Sequence, residues 1–141
     1  MDDWRVLGVD ARKAGWAGIV LSQGFHGAFV AAGIADLVEQ ASSGGKLAVI
    51  AIDIPIGLPD TGRRQADMLA RQAVGPLRAS VFTTPVRPAL EAPAYAQAAA
   101  VSRQLAGEGI SRQAFALRAK ILEVDRWVRQ ADCYPRQLHR P

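Results

Sequence analysis

Two aspartates in this chain each close an apolar run. Trp4-Arg5-Val6-Leu7-Gly8-Val9-Asp10 delivers the first, and Val49-Ile50-Ala51-Ile52-Asp53 the second, which Ile54-Pro55-Ile56-Gly57-Leu58-Pro59 then stops. An acid at the end of an apolar strand is costly to bury unless it meets a cation, a metal or good donors. If two such acids come side by side, they repel unless one keeps its proton or a cation bridges them. Oxygen-only ligands favour magnesium or manganese. A pair of such metals activates water and stabilises the leaving oxygen in phosphodiester cleavage. The same two acids could instead hold the magnesium of a nucleotide, and Asp53 by itself also fits a turn cap.

Other polar residues fall at helical spacing. Arg64, Asp67 and Arg71 stand at i, i+3 and i+7, so they share a face that can point at phosphate or form a solvated ion ladder. Gln113, Lys120 and Glu123 fall on one side of a later helix, where Glu123 is either a further metal ligand or a partner of Lys120. His26 and His139 match no metal-ligand spacing, and Cys133 has no neighbour in sequence that would activate it. The chain carries no phosphate loop, no GxSxG elbow and no HExxH.

The elements that must position Asp10 and Asp53 can be read from pattern. Val49–Asp53 is short and β-branched, which predicts a strand buried on both faces, held at its exit by two prolines. Residues 4–10, 16–21 and 25–32 read as three strands joined by connections too short for anything but antiparallel neighbours. Residues 34–41 place apolar side chains at i, i+3, i+4 and i+7, a helix closed by Gly44-Gly45. A strand over 46–53 follows. That intervening helix lets the fourth strand return parallel to the first, which would bring Asp10 and Asp53 to the same edge of the sheet.

The remainder reads as mostly helical. Helices are expected over 63–74, over 92–106 and from Ser111, a good N-cap, to about Gln130, the last with a core stripe of Ala114, Leu117, Ile121, Val124 and Val128. Residues 79–88 carry β-branched residues and two prolines and are expected as a loop or edge segment. The fold class predicted is α/β: a mixed sheet in the order strand, strand, strand, helix, strand, followed by a helical half. One domain is expected over residues 1–131, with an irregular tail over 132–141.

Composition bounds the function. The 141 residues are 50% hydrophobic, and no apolar stretch is long enough to span a bilayer. The acidic start and the single cysteine point to a cytoplasmic protein without disulfides or a thiolate zinc site. The net charge of +4 is unevenly spread, with −3 over residues 1–60 and +7 over residues 61–141. A basic second half suits a polyanion such as nucleic acid or a nucleotide, although arginine-rich composition alone produces the same balance.

Taken in order, Gly8-Val9-Asp10 with Gly15-Trp16, Ile52-Asp53-Ile54-Pro55-Ile56-Gly57-Leu58-Pro59, Arg64-Gln65-Ala66-Asp67, Ser80-Val81-Phe82-Thr83-Thr84-Pro85, Ser111-Arg112-Gln113-Ala114 and Lys120-Ile121-Leu122-Glu123-Val124-Asp125 resemble the bacterial domain of unknown function 429 family. That family is described as predicted RNase H-like nucleases, and the resemblance covers residues 4 to about 130. It implies an RNase H-like sheet and a metal-dependent nuclease site. Asp10 and Asp53 match the family's strand-end acids, and Arg64, Asp67, Gln113, Lys120 and Glu123 match polar positions of its motifs. Family members continue into a further strand with a His-Pro-Glu motif. Residues 133–141 supply no acid there, so a shortened or frame-shifted C-terminal side is expected, covered by a second copy in a homo-oligomer.

The leading expectation is thus a magnesium- or manganese-dependent nuclease. Asp10 and Asp53 would hold metal, Asp67 and Glu123 are candidates to complete the catalytic shell, and Arg64, Arg71, Gln113 and Lys120 would bind substrate. The alternatives are a nucleotide-binding protein of the actin and sugar-kinase class, or a non-catalytic binding or oligomeric protein.

Overall fold

Alternation along the first three runs sorts their side chains between core and solvent, and they fold as a meander. In a computed structural model that describes residues 4–130, β1 (Arg5–Arg12), β2 (Gly15–Ser22) and β3 (Phe25–Ala31) pair antiparallel in that sequence. The β1–β2 turn depends on Gly15. Its φ is +130°, and a Cβ there would sit 2.2 Å from the Ala31 carbonyl oxygen, so no other residue fits without moving β3. Helix α1 (Ile34–Ser42) follows, then β4 (Val49–Ile52), which lies parallel to β1 and completes the order β3-β2-β1-β4. A mixed sheet with helices, the expected α/β class, is what forms.

Helix α1 covers one face of the sheet. It contributes Ile34, Leu37, Val38 and Ala41, which are buried together with Leu7, Val9, Trp16 and Val20 from β1 and β2. Each large side chain removed from water in this way contributes about 1.5–3 kcal/mol. Arg5 joins this layer at 8% exposure. Its Nε and Nη2 donate to the Ala41 carbonyl at 3.3 and 3.1 Å, and its guanidinium stacks 5.1 Å from the Phe25 ring centroid. A cation at the end of α1 satisfies a last-turn carbonyl and complements the helix dipole.

The opposite face of the sheet is open. Ile19, Leu21, Val30 and Val49 are each about half exposed. This corrects the expectation that the Val49–Asp53 run is buried on both faces. β4 is four residues long and alternates between exposed and half-buried, with Val49 and Ala51 directed away from α1. The continuous apolar run comes from apolar residue types on the open face, and residue type does not enforce burial.

The chain forms two compact units, residues 4–54 with 126–130 and residues 55–125. The second is helical: α2 (Gln65–Val74), a 3-10 turn over Gly75–Ser80, α3 (Arg87–Leu90), α4 (Tyr95–Ala106), α5 (Arg112–Ala116) and the first part of α6 (Arg118–Gln130). Residues 81–86 are irregular, as the prolines and β-branched residues of that stretch predict. Leu58, Val86, Leu90, Ala98, Ile110, Ala114, Ile121 and Val124 are its buried apolar residues. Helix α4 ends at Gly107 in the left-handed conformation, whose N–H returns to the Arg103 carbonyl at 3.1 Å. Ser111 caps α5 as expected, accepting the Ala114 N–H at 3.0 Å.

The single long helix expected from Ser111 to Gln130 is instead two. Leu117, at φ −86° and ψ 0°, leaves the helical region between α5 and α6. At that break Arg118 donates through Nη1 to the Phe115 carbonyl at 3.2 Å, taking up a backbone acceptor. Of the expected stripe, Ala114, Ile121 and Val124 are buried, while Leu117 is half-buried and Val128 exposed. No helix among the described residues is long and apolar enough to cross a membrane. The expected tail, with Cys133 and His139, lies outside the described residues.

Candidate functional site

The first unit carries Asp10 and Asp53. β1 and β4 run in parallel register from Val6 with Val49 to Val9 with Ile52. The Asp53 N–H donates to the Val9 carbonyl at 3.1 Å, which closes the last pair of the ladder, Val9 with Ile52. Asp10 and Asp53 each directly follow that last registered pair, while the Ile54 N–H donates back to the Ile52 carbonyl at 2.8 Å and turns the chain at Asp53. Asp10 lies on the open face, since Val9 is buried on the other. Asp10 lies inside β1, which runs on to Arg12, and Asp53 is the first residue past β4.

Both carboxylates are exposed. This corrects the picture of Asp53 as a buried charge. Its run of apolar neighbours suggested burial, but they divide between the covered face and the open one, and water solvates the acid. Neither Asp10 nor Asp53 has a hydrogen-bonded or ion-paired side-chain partner among the described residues. Among those residues, too, no group of three or more His, Cys, Asp or Glu side chains stands close enough to hold a metal. His26 is exposed on β3, opposite Leu21 of β2.

In the second unit Arg64 and Asp67 form one assembly at the start of α2. Arg64 donates to Asp67 Oδ1 through Nη2 at 2.5 Å and Nε at 3.2 Å, and through Nη1 to the Ile56 carbonyl at 2.7 Å. Asp67 is 6% exposed, and its Oδ2 accepts the Thr84 N–H at 2.9 Å. Burial pushes this carboxyl up, but the Arg64 guanidinium, the Thr84 N–H and the nearby Thr84 hydroxyl outweigh burial and hold it below the usual carboxylate range. Both oxygens of Asp67 are thereby engaged. The pair ties the Pro55–Pro59 loop, the start of α2 and the residue 81–86 loop together.

Arg71, one turn beyond, does not continue an ion ladder. Its Nη1 donates to Thr83 Oγ1 at 3.3 Å, and it has no ion-pair partner among the described residues. Arg71 and Gln113, two of the residues expected to bind substrate, line one cavity of about 450 Å³ that lies wholly within the second unit. The Ser80–Pro85 stretch forms part of its wall. Arg64, Lys120 and Glu123 do not line it. Lys120 and Glu123 are half-buried on α6 and neither is free.

Sequence reasoning missed the Arg87 cluster. Arg87 donates to both oxygens of Asp125, at 3.0 Å through Nε and 3.3 Å through Nη2, to the Leu58 carbonyl at 3.3 Å and to Asp60. The hydrogen bonds and charge of Asp125, with the charge of Asp60, outweigh desolvation and raise the affinity of Arg87 for its proton. No spacing rule joins residues 38 positions apart. The one local hint is that Asp125 directly follows the apolar Val124, where a helix turning its next residue inward would need a buried cation.

Comparison with other proteins agrees with the motif order. No curated protein and no solved structure matches the chain. The model of the family described as "Protein of unknown function (DUF429)" matches residues 8–139. The match runs past residue 130, where the resemblance is expected to stop. With nearly the whole chain covered, this protein belongs to the DUF429 family.

Proposed function

We propose that this protein is a metal-dependent phosphodiesterase acting on nucleic acid, with Asp10 and Asp53 as its metal-holding residues. The observation that carries the reading is their placement: two solvated acids that each directly follow the last registered pair of two parallel neighbouring strands. The donor set fits one magnesium or manganese ion. Magnesium is commonly bound through one or two carboxylates and keeps several waters, so two exposed oxygen donors suffice. When bound, such an ion lowers the pKa of a coordinated water and stabilises charge on a leaving oxygen. Asp10 and Asp53 would fix its position, and their placement outside the core leaves room for a polymer to approach. Asp67 is held by Arg64 and Thr84, so in this reading it shapes the Pro55–Pro59 loop and does not enter the metal shell.

The test is cleavage of RNA, DNA and RNA–DNA hybrid with magnesium or manganese, comparing the native chain with Asp10→Asn and Asp53→Asn. Loss of at least about 100-fold in each variant is expected, as for removal of a group on which the reaction depends. Equal cleavage by both variants would show that the site is elsewhere.

A further inference from the structure

The cavity of the second unit has an unbalanced positive charge. Arg63 lies outside its wall and pairs with Glu108 at 2.8 Å, which leaves that acid neutralised. Arg71, half-buried, keeps a single hydrogen bond, to Thr83, and no acid opposes it among the described residues. A guanidinium has five N–H donors, so most of its capacity faces no protein acceptor. Arginine forks match the oxygens of phosphate and carboxylate bidentately.

The rest of the wall is suited to a ligand with hydroxyls. Thr83 and Ser111 present hydroxyls, and Gln113 an amide. The Ser111 oxygen already accepts the Ala114 N–H, so its hydroxyl proton is available to donate. Oε1 of Glu108, on the same wall, is buried with no hydrogen-bond partner among the described residues, while the Thr84 hydroxyl is taken up near Asp67. The Ser111 hydroxyl and the Gln113 amide are groups that a sugar hydroxyl can meet. The volume of about 450 Å³ lies within the range of small-molecule sites.

We infer that this cavity is a binding site for a small phosphate monoester carrying hydroxyl groups, with its phosphate on Arg71 and Thr83 and its hydroxyls toward Ser111 and Gln113. Loss of the arginine fork removes the anion's main partner, and loss of the Thr83 hydroxyl removes one donor beside it. The site is independent of the metal reading, since none of its residues belongs to the Asp10–Asp53 pair.

Calorimetric titration of the full chain with ribose 5-phosphate, in EDTA at moderate salt, tests it. Ribose, inorganic phosphate and a single-stranded oligonucleotide serve as the comparison ligands. Ribose 5-phosphate is expected to bind more tightly than inorganic phosphate, with ribose showing no heat. Arg71→Gln should weaken ribose 5-phosphate at least tenfold, Arg71→Lys less, and Thr83→Val several-fold, in variants whose circular dichroism and melting match the native chain. Native affinity in a folded Arg71→Gln overturns the assignment, as does absence of binding by the native chain. Binding of the oligonucleotide without ribose 5-phosphate gives the phosphate contact to a polymer and also overturns it. Binding that appears only when magnesium replaces EDTA moves the ligand to the acid pair, with the same consequence. Because EDTA is present throughout, failure here leaves the phosphodiesterase reading standing, and failure of cleavage leaves this one.

Discussion

Thr84 donates its backbone N–H to Oδ2 of Asp67 at 2.9 Å, binding an irregular loop to a helix that begins 19 residues earlier in the chain. Asp67 is nearly buried, so the contact is not one that water readily replaces. Asp67→Asn keeps the shape but removes the charge that Arg64 and Thr84 face. A loss of about 1–3 kcal/mol is expected, read as a lowered midpoint in urea unfolding with unchanged slope. An unchanged midpoint would mean that the contact adds nothing beyond local order.

The same residue sets an acid limit. Its folded carboxyl titrates below the ordinary value of 3.8, so the unfolded chain binds more protons than the folded one between the two values. The stabilisation is complete above the unfolded pKa and disappears as the pH falls through the folded one. Stability measured from pH 5 down should therefore drop less steeply in Asp67→Asn than in the native chain, starting near pH 4. Parallel curves would argue against Asp67 as the source.

Arg87 provides an internal comparison of two acids on one cation. Asp125 is 5% exposed at its side chain and Asp60 75%. Asp125→Ala strands a largely buried guanidinium, kept in part by Asp60, and should cost about 2–3 kcal/mol. Asp60→Ala should cost less than about 1 kcal/mol, because water replaces an exposed partner. Chemical denaturation of the two variants checks the order, and a larger loss for Asp60→Ala would contradict the burial argument.

Neighbouring residues of β2 separate the two faces of the sheet. Val20 is fully buried and Ile19 is 58% exposed. Val20→Ala is expected to cost about 1–3 kcal/mol by leaving a cavity. Ile19→Thr keeps β-branching on an open face and should shift stability by no more than about 0.5 kcal/mol. Comparable losses in both would mean that something covers the second face in solution.

Metal affinity can be followed without substrate. Manganese titrated into the native chain, with free ion followed by electron paramagnetic resonance, should show binding that Asp10→Asn and Asp53→Asn each weaken by about tenfold or more. Asp36→Asn, on α1, serves as a control for unspecific charge and should leave binding as it is. Equal weakening by all three would reduce the acid pair to general electrostatic attraction.

The local pattern carried most of the first unit. Short connections require antiparallel neighbours, and a helix between strands allows a parallel return, so the meander, α1 and the β4 crossover follow from spacing alone. The Asp10–Asp53 neighbourhood follows from them. The Ser111 cap was equally legible, since it acts through an atom three residues away.

What the linear pattern did not contain is which contacts those elements make. Val49 and Ile52 are similar residue types, yet one faces open water and the other is half-buried, because coverage depends on where α1 lands. The break at Leu117 occurs where an Arg118 side chain occupies a backbone carbonyl in a pattern that otherwise permits a helix. Arg64 and Arg71 stand at helical spacing, but the first precedes α2 and closes on Asp67 and Ile56 while the second, within α2, turns to Thr83 and a cavity. The sequence by itself determined the elements, their order and the two acids at neighbouring positions, because those depend on periodicity and chain length. Only the tertiary structure decided that Asp53 is solvated, that Asp67 is occupied, that Arg87 reaches Asp125 and that Arg71 stands over a cavity. Such partnerships join residues far apart in the chain, where burial and hydrogen-bond geometry, not residue type, choose the partner.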